Sequence, residues 1–149
     1  MDLNQVLIEA AKDGNMLVLK TALEKGANIN AKDGSGMTAL MYAEQRGYTQ
    51  LADYLREKGA KEDENFKAID DYTRAIELDP ENADTYDNRG LAYVTLSQYQ
   101  KAIDDCYQAG ILHLEQKDKA GAQQCINLIK AIDSSSSLII ELQNLVDQI

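Results

Sequence analysis

The chain has 149 residues, the size of one ordinary domain, and contains one proline and no tryptophan, a composition that suits a helical protein. Its formal net charge of −10 argues against binding to nucleic acid or to an anionic membrane surface, because both repel a protein of that charge. The sequence lacks the run of about 18 apolar residues that a membrane span needs, and its start, Met1-Asp2-Leu3-Asn4, lacks the basic residues of a secretory signal. A cytoplasmic protein is therefore expected.

Apolar residues at helical spacing, interrupted by glycines, predict nine helices. The first four are expected at residues 3–12, 15–25, 38–45 and 48–58, with a polar finger between the second and the third. The other five are expected at residues 64–78, 83–95, 99–113, 117–131 and 136–148. The predicted fold class is therefore all-α.

Two repeat periods organise these helices. Residues 10–60 repeat at a spacing of 33, which brings alanine and glycine back at matching positions: Ala10 and Ala43, Gly14 and Gly47, Gly26 and Gly59. Residues 67–109 repeat at a spacing of 34, because the run Lys67-Ala68-Ile69-Asp70-Asp71 returns as Lys101-Ala102-Ile103-Asp104-Asp105. Periods of this length indicate stacked helical repeats, which bury a core between neighbouring units and leave a groove open for partners.

The 33-residue unit resembles the ankyrin repeat over residues 3–61. Its second copy has the threonine-leucine start, the glycine turn and the Gly-Ala ending of that family, in Thr38-Ala39-Leu40, Arg46-Gly47 and Gly59-Ala60. Ankyrin repeats usually carry Pro-Leu-His after the threonine, whereas this chain has Ala39-Leu40-Met41. The turn hydrogen bonds of that histidine are therefore expected to be missing.

The 34-residue unit resembles the tetratricopeptide repeat over residues 49–131. Tyr86 and Tyr93 stand at its two aromatic positions, and Gly90 at the position where the partner helix approaches closely. The run Leu78-Asp79-Pro80 matches the usual turn between repeats, where proline suits the start of the next helix. The third copy fades, because Gln124 stands where Gly90 would recur.

Together the two resemblances imply a right-handed helical-repeat solenoid. Two ankyrin units at 1–61 are expected to run into tetratricopeptide units at 49–133 through a shared helix at 48–58, because that helix lies one period before the helix of Tyr86 and Gly90. A flexible linker at residues 61–65 is the alternative, but that run lacks the Gly, Ser or Pro content of a free linker.

The remaining segment, residues 134–149, is expected to form a C-terminal capping helix. Its alternative role is an apolar surface for self-association, so a monomer or a weak homodimer is expected.

The residues that carry chemistry predict neither an enzyme nor a cofactor or metal site. His113 is the only histidine and has no acid or nucleophile partner fixed by the pattern. The pairs Asp70-Asp71 and Asp104-Asp105 are expected on solvated faces, because adjacent helical residues point in different directions. Cys106 and Cys125 are expected to be reduced core thiols, since they have neither zinc spacing nor a disulfide framework.

The tetratricopeptide resemblance implies that the first helix of each unit lines a concave, peptide-binding face. The matching residues are Gln50, Asp53, Tyr54 and Glu57 on the fourth helix, Asp84, Asp87, Asn88, Leu91 and Thr95 on the sixth, and Asp118, Ala122, Cys125 and Ile129 on the eighth. Asn88 matches an asparagine with which some family members clamp the C-terminal carboxylate of heat-shock chaperones. The cationic positions of that clamp hold Asp53, Asp118 and Ala122, so an acidic tail would be repelled.

The distribution of charge points to a basic partner. Residues 1–61 hold eight basic and eight acidic side chains, so the whole charge of −10 lies in residues 62–149. The predicted function is a scaffold that binds a basic or amphipathic peptide or protein segment on the concave face, without catalysis. The alternatives are a spacer or an engineered ankyrin–tetratricopeptide fusion without a ligand of its own, and an acidic face that serves solubility alone; an enzyme is less expected.

Overall fold

A computed structural model describes residues 2–149, and within that range the chain is helical, without strands. The helices are α1 (Leu3–Asp13), α2 (Met16–Glu24), α3 (Ala39–Gln45), α4 (Thr49–Glu57), α5 (Glu64–Leu78), α6 (Ala83–Thr95), α7 (Tyr99–Glu115), α8 (Lys119–Ile132) and α9 (Ser137–Val146). The all-α prediction is confirmed, and every predicted helix is present with its ends displaced by two residues at most. None of these helices is long and apolar enough to cross a membrane.

The chain folds as two compact units, Met1–Asp63 and Glu64–Ile149. Helices α1 to α4 belong to the first unit and α5 to α9 to the second. Helix α4 therefore packs within the first unit. Its predicted second role, as a helix shared with the tetratricopeptide units, stays a prediction.

The first unit is built around leucines that its four helices bury, of which Leu7 and Leu40 lie one 33-residue period apart. Leu7, Leu19, Leu40 and Leu55 are each fully or almost fully buried in one apolar cluster. Gly14 ends α1 with φ 70°, a left-handed conformation that glycine adopts without strain. A Cβ atom there would lie 3.0 Å from the ring of Tyr48, so the turn has no room for a side chain either.

The finger before α3 is held by Asp33. Its Oδ1 accepts hydrogen bonds from the backbone N–H groups of Ser35 (2.9 Å) and Met37 (3.1 Å), and its Oδ2 accepts one from the Tyr42 hydroxyl (2.6 Å). Partial burial acts to raise the pKa of Asp33, but these hydrogen bonds outweigh it and the pKa is lowered. Asp33 and the N-cap Thr38, which accepts from the Met41 N–H, thus order this turn without the family's histidine.

The second unit packs α5, α6, α7 and α8 in succession, and α9 rests on α7 and α8. Gly90 allows α6 to approach α7 closely, as predicted, because a Cβ atom on it would lie 3.3 Å from Sγ of Cys106. Leu142 and Val146 of α9 are buried in the core, whereas Ile149, which an uninterrupted helix would place on the same face, is exposed. The reason is that α9 ends at Val146, so Ile149 no longer follows the helical stripe.

An ion pair between α6 and α7, with one further hydrogen bond to α5, joins three helices of this unit. Asp105 of α7 is only 5% exposed and accepts two hydrogen bonds from Arg89 of α6, at 2.8 Å from Nε and 2.7 Å from Nη2. The third nitrogen, Nη1, donates to the Thr73 hydroxyl of α5 at 3.1 Å. The expectation that both aspartates of the Asp104-Asp105 pair are solvated is therefore wrong for Asp105, whereas Asp104 is exposed.

Candidate binding groove

An open cavity of about 580 Å³ lies between α6 and α8 of the second unit and is called the groove below. The residues that line it are Asp84, Asp87, Asn88 and Leu91 of α6 and Gln124, Cys125 and Leu128 of α8. The four residues of α6 are spaced three, four and seven residues from the first, the spacing of one face of a helix. The groove therefore presents carboxylates and amides beside two leucines.

The two walls of the groove are fixed at their N-terminal ends by side-chain caps. Asn82 precedes α6 and accepts a hydrogen bond from the Thr85 N–H at 3.4 Å. Asp118 precedes α8 and accepts one from the Gly121 N–H at 2.9 Å. Capping residues of this kind satisfy backbone donors that the first turn leaves without partners, so both helices begin at defined residues.

Four polar side chains, those of Asp87, His113, Asp118 and Cys125, contact one another and are called the polar cluster below; two of them, Asp87 and Cys125, line the groove. His113 of α7 is 5% exposed, and its Nε2 lies 2.7 Å from Oδ2 of Asp87. Its other ring nitrogen, Nδ1, lies 2.9 Å from Oδ2 of Asp118 but is not aligned for a hydrogen bond. The Cys125 thiol donates to Oδ1 of Asp87 at 3.2 Å. The fold thus gives His113 two neighbouring carboxylates that the sequence pattern does not fix.

Both thiols of the unit are held in the neutral form. Burial raises the pKa of Cys106 to about 12, and the nearby carboxylates of Asp87 and Asp105 add to that effect. Burial, then the charge of Asp87, raises the pKa of Cys125 as well. A reactive cysteine needs a lowered pKa and a positive environment, so Cys125 lacks the properties of a nucleophile despite the nearby histidine.

Comparison with known families divides the chain between residues 61 and 62, two residues before the boundary between its compact units. A model described as "Ankyrin repeats (many copies)" matches residues 7–61, and one described as "TPR repeat" matches residues 62–97. The chain joins ankyrin repeats to a tetratricopeptide repeat. The α6 wall of the groove lies within the matched tetratricopeptide residues, and the α8 wall lies beyond them.

Curated relatives match parts of this ankyrin–tetratricopeptide chain, and the chain covers only a small share of each relative. It is 48% identical over 58 residues, or 37% of its length, to the Small glutamine-rich tetratricopeptide repeat-containing protein beta of Homo sapiens, of which it covers 19%. It is 37% identical over 92 residues, or 60% of its length, to the Translocon at the outer membrane of chloroplasts 64 of Pisum sativum, of which it covers 14%. It is 35% identical over 66 residues, or 42% of its length, to the Mitochondrial import receptor subunit TOM34 of Pongo abelii, of which it covers 21%. The chain thus spans about a fifth or less of each.

The predicted residues of the sixth helix fall into two groups. Asp84, Asp87, Asn88 and Leu91 line the groove together. Thr95 does not line it; it is exposed near the end of α6, and its hydroxyl donates to the Leu91 carbonyl at 3.1 Å. The groove therefore ends about one helical turn before Thr95.

Two of the four residues predicted to line the concave face from the eighth helix, Ala122 and Ile129, are wrong, and the part of Asp118 in binding stays a prediction. Cys125 lines the groove, but Ala122 and Ile129 are fully buried in the core, and Asp118 caps the helix and contacts His113. Gln124 and Leu128 line the groove instead. Positions 34 residues after those of α6 do not predict the groove-lining residues of α8, because the third repeat copy has diverged. Gln124, for example, occupies the position that matches Gly90.

The four residues predicted on the fourth helix lie in the first unit. Gln50 lines a separate cavity of about 390 Å³ beside Tyr48, and Asp53 forms an ion pair with Arg56 at 3.1 Å. Tyr54 packs against the core of its own unit, with the ammonium groups of Lys20 and Lys58 at 4.9 and 5.7 Å from the ring centroid. Glu57 is exposed. Their part in peptide binding stays a prediction.

Proposed function

We propose that this chain is a protein-interaction module and that its groove binds a basic or amphipathic peptide or protein segment. The observation that carries the proposal is the pairing of carboxylates with an exposed leucine on one helix face. Asp84 and Asp87 lie on the same face of α6 as Leu91, which is 52% exposed. A segment with a cationic side chain one helical turn from an apolar one would match this face.

Charge supports a basic partner over an acidic one. The residues that line the groove include two carboxylates and no lysine or arginine, and the second unit belongs to the half of the chain with all of the net negative charge. Complementary charge accelerates association and disfavours partners of like charge. Asn88, the residue shared with the chaperone-tail clamp, stands beside acids rather than cations, so an acidic C-terminal tail is disfavoured.

The relatives support a protein partner in general terms. Two of them are named as an import receptor subunit and as part of a chloroplast translocon, and those names describe those proteins. What extends to this chain is a likeness over 66 residues to the import receptor subunit and over 92 residues to the translocon protein. A spacer or an engineered fusion without a ligand of its own is the second candidate, because the acidic side chains of the groove could serve only to keep the protein soluble.

The proposal predicts charge-dependent binding of a defined probe. A labelled amphipathic peptide of leucine and lysine should bind the chain in fluorescence anisotropy, and the same peptide with glutamate in place of lysine should not. Replacing Asp84 by asparagine should weaken binding of the lysine peptide about two- to fivefold and flatten its salt dependence, the effect expected of an exposed charge pair. Asp84 is preferred to Asp87 because it takes no part in the polar cluster.

The matched control is Asp71→Asn, an exposed aspartate of α5 in the same unit, which removes the same charge outside the groove. It should leave the affinity nearly unchanged. Leu91→Ala should weaken binding of the peptide. It should also make the affinity depend less on the leucines of the peptide. Equal binding of the lysine and glutamate peptides, or an equal effect of Asp71→Asn and Asp84→Asn, would show that the groove is not the site.

A further inference from the structure

The polar cluster brings together three different metal-binding side chains. The carboxylate of Asp87, Nε2 of His113 and Sγ of Cys125 lie within 4.8 Å of one another. They belong to α6, α7 and α8, so they converge only when the unit is folded. In a tetrahedral site with bonds of about 2.0–2.3 Å, ligand atoms lie roughly 3.3–3.7 Å apart. Side-chain adjustments of about 1 Å would therefore place all three on one ion.

We propose that Asp87, His113 and Cys125 bind a divalent transition-metal ion of the zinc class, with Asp118 as the residue that orients His113. The ligand set contains one nitrogen, one sulfur and one carboxylate oxygen. Imidazole and thiolate favour zinc and its neighbours in the first transition series, whereas magnesium and calcium prefer sites made of oxygen alone. The proposal concerns metal binding by the chain itself and does not depend on the peptide-binding function.

The surroundings of His113 match those of a metal ligand. A histidine that binds a metal through one ring nitrogen usually directs the other toward a carboxylate, which fixes the ring. Here Nδ1 is buried and lies 2.9 Å from Oδ2 of Asp118 without being aligned for a hydrogen bond, so a small rotation would complete that pair. Gly121 makes room for it: a Cβ atom there would lie 2.5 Å from Nδ1 of His113 and 2.4 Å from Oδ2 of Asp118.

Metal binding would also change the state of Cys125. Its thiol is buried and donates a hydrogen bond to Asp87, whereas the ligand to a metal is the thiolate. The ion would displace that proton to solvent, as metal binding to thiols does. The charges of the thiolate and of the Asp87 carboxylate would then balance the two positive charges of the ion.

The groove gives the site an entry path and an open position. Asp87 and Cys125 both line the groove, so an ion can reach them from solvent. Three protein ligands leave one tetrahedral position, which is the arrangement of sites that bind water or an added ligand. Because Asp87 and Cys125 line the groove, a ligand for that position can enter from it.

The test uses the full chain, first treated with a chelator and then titrated with Co²⁺ as a spectroscopic substitute for Zn²⁺. We expect one ion per chain, with the visible bands of tetrahedral Co²⁺ and a near-ultraviolet charge-transfer band from the thiolate. Adding Zn²⁺ should abolish both sets of bands. Absence of the charge-transfer band in the unaltered chain would overturn the proposal and leave the polar cluster as a metal-free network.

Two matched variants locate the site. Cys125→Ser should abolish the charge-transfer band and lower the affinity by at least about tenfold, whereas Cys106→Ala, which removes the other buried thiol of the unit, should leave both unchanged. Asp118→Asn should keep the band and lower the affinity about 10- to 100-fold, the effect of losing an orienting partner. Equal effects of the two cysteine variants would overturn the assignment to Cys125.

Circular dichroism of each variant shows whether it is folded. Where Cys125→Ser does not fold, the unaltered chain and Cys106→Ala decide the question: the band in both supports the site, and its loss in Cys106→Ala overturns it. No peptide is present in these measurements. Failure of metal binding therefore leaves the peptide-binding proposal standing, and failure of peptide binding leaves this one standing.

Discussion

Replacing Asp105 by alanine should lower the free energy of unfolding of the second unit by about 3–5 kcal/mol, the usual cost of removing one partner of a buried ion pair. The variant would leave the partly buried Arg89 guanidinium without a counter-charge, since Asp105 supplies both of its carboxylate contacts. Thr73 would remain as a neutral partner. Arg89 cannot relieve this cost by losing its proton, because an arginine guanidinium stays charged in proteins even without a carboxylate partner.

Asp104→Ala is the matched control, because it removes the same charge from the neighbouring position of α7. Asp104 is exposed and accepts one hydrogen bond from Gln100 at 3.0 Å, so its loss should change stability by less than about 0.5 kcal/mol. Urea unfolding followed by circular dichroism compares the two variants. Equal midpoints for Asp104→Ala and Asp105→Ala would show that the Arg89–Asp105 pair contributes little.

A double variant separates the ion pair from the packing around it. Replacing Arg89 by methionine and Asp105 by leucine removes both charges and keeps side chains of similar size. It should recover most of the stability lost in Asp105→Ala, because apolar pairs often replace buried ion pairs without loss. Failure to recover would mean that the contacts of Arg89 with the rings of Tyr86 and Tyr93, at 5.7 and 5.8 Å from their centroids, contribute to stability as well.

Sequence reasoning placed the helices well because their ends are marked locally. The residues that stop α1 and cap α3, α6 and α8 are glycine, threonine, asparagine and aspartate, which favour those positions for known reasons. The early start predicted for α8 was wrong because Lys117 adopts φ 58°, a left-handed conformation that a helix does not continue through. Neither composition nor periodicity marks a lysine for that conformation.

The burial of Asp105 could not be predicted from the repeat, because the residues that match in the two copies do not have matching partners on the neighbouring helix. Asp71 and Asp105 occupy matching positions, yet Asp71 is exposed and Asp105 is buried. The difference lies in the preceding helix, where Arg89 faces Asp105 while the residue 34 positions before Arg89 is Leu55, which cannot form an ion pair. A repeat period shows which residues recur along the chain. An ion pair recurs only if the residue of opposite charge on the neighbouring helix recurs as well.

The polar cluster was missed for a related reason. Asp87, His113 and Cys125 are far apart in sequence and lie on three helices, so no local spacing joins them. Metal motifs that can be recognised in sequence place their ligands a few residues apart. The one local signal was Gly121, whose lack of a side chain is required by the contact between His113 and Asp118.

Replacing Leu55 by alanine should destabilise the first unit by about 2–4 kcal/mol, the cost of removing a buried leucine side chain and leaving a cavity. Leu55 is fully buried, in contact with the cluster that includes Leu7 and Leu40. Leu17→Ala is the matched control, since Leu17 of α2 is 76% exposed and its loss should cost under about 0.5 kcal/mol. Urea unfolding of both variants measures the difference, and similar values for the two would show that Leu55 is not part of a tight core.

The same variant tests whether α4 also supports the second unit, as the tetratricopeptide register of its sequence led us to propose. Hydrogen exchange of peptides from each unit, read by mass spectrometry, follows the two units separately in one experiment. If α4 is shared, Leu55→Ala should lower protection in peptides of both α3 and α7, and the units should unfold in one transition. Loss of protection confined to the first unit would refute the shared helix, while the cost of Leu55→Ala would still establish its place in the first core.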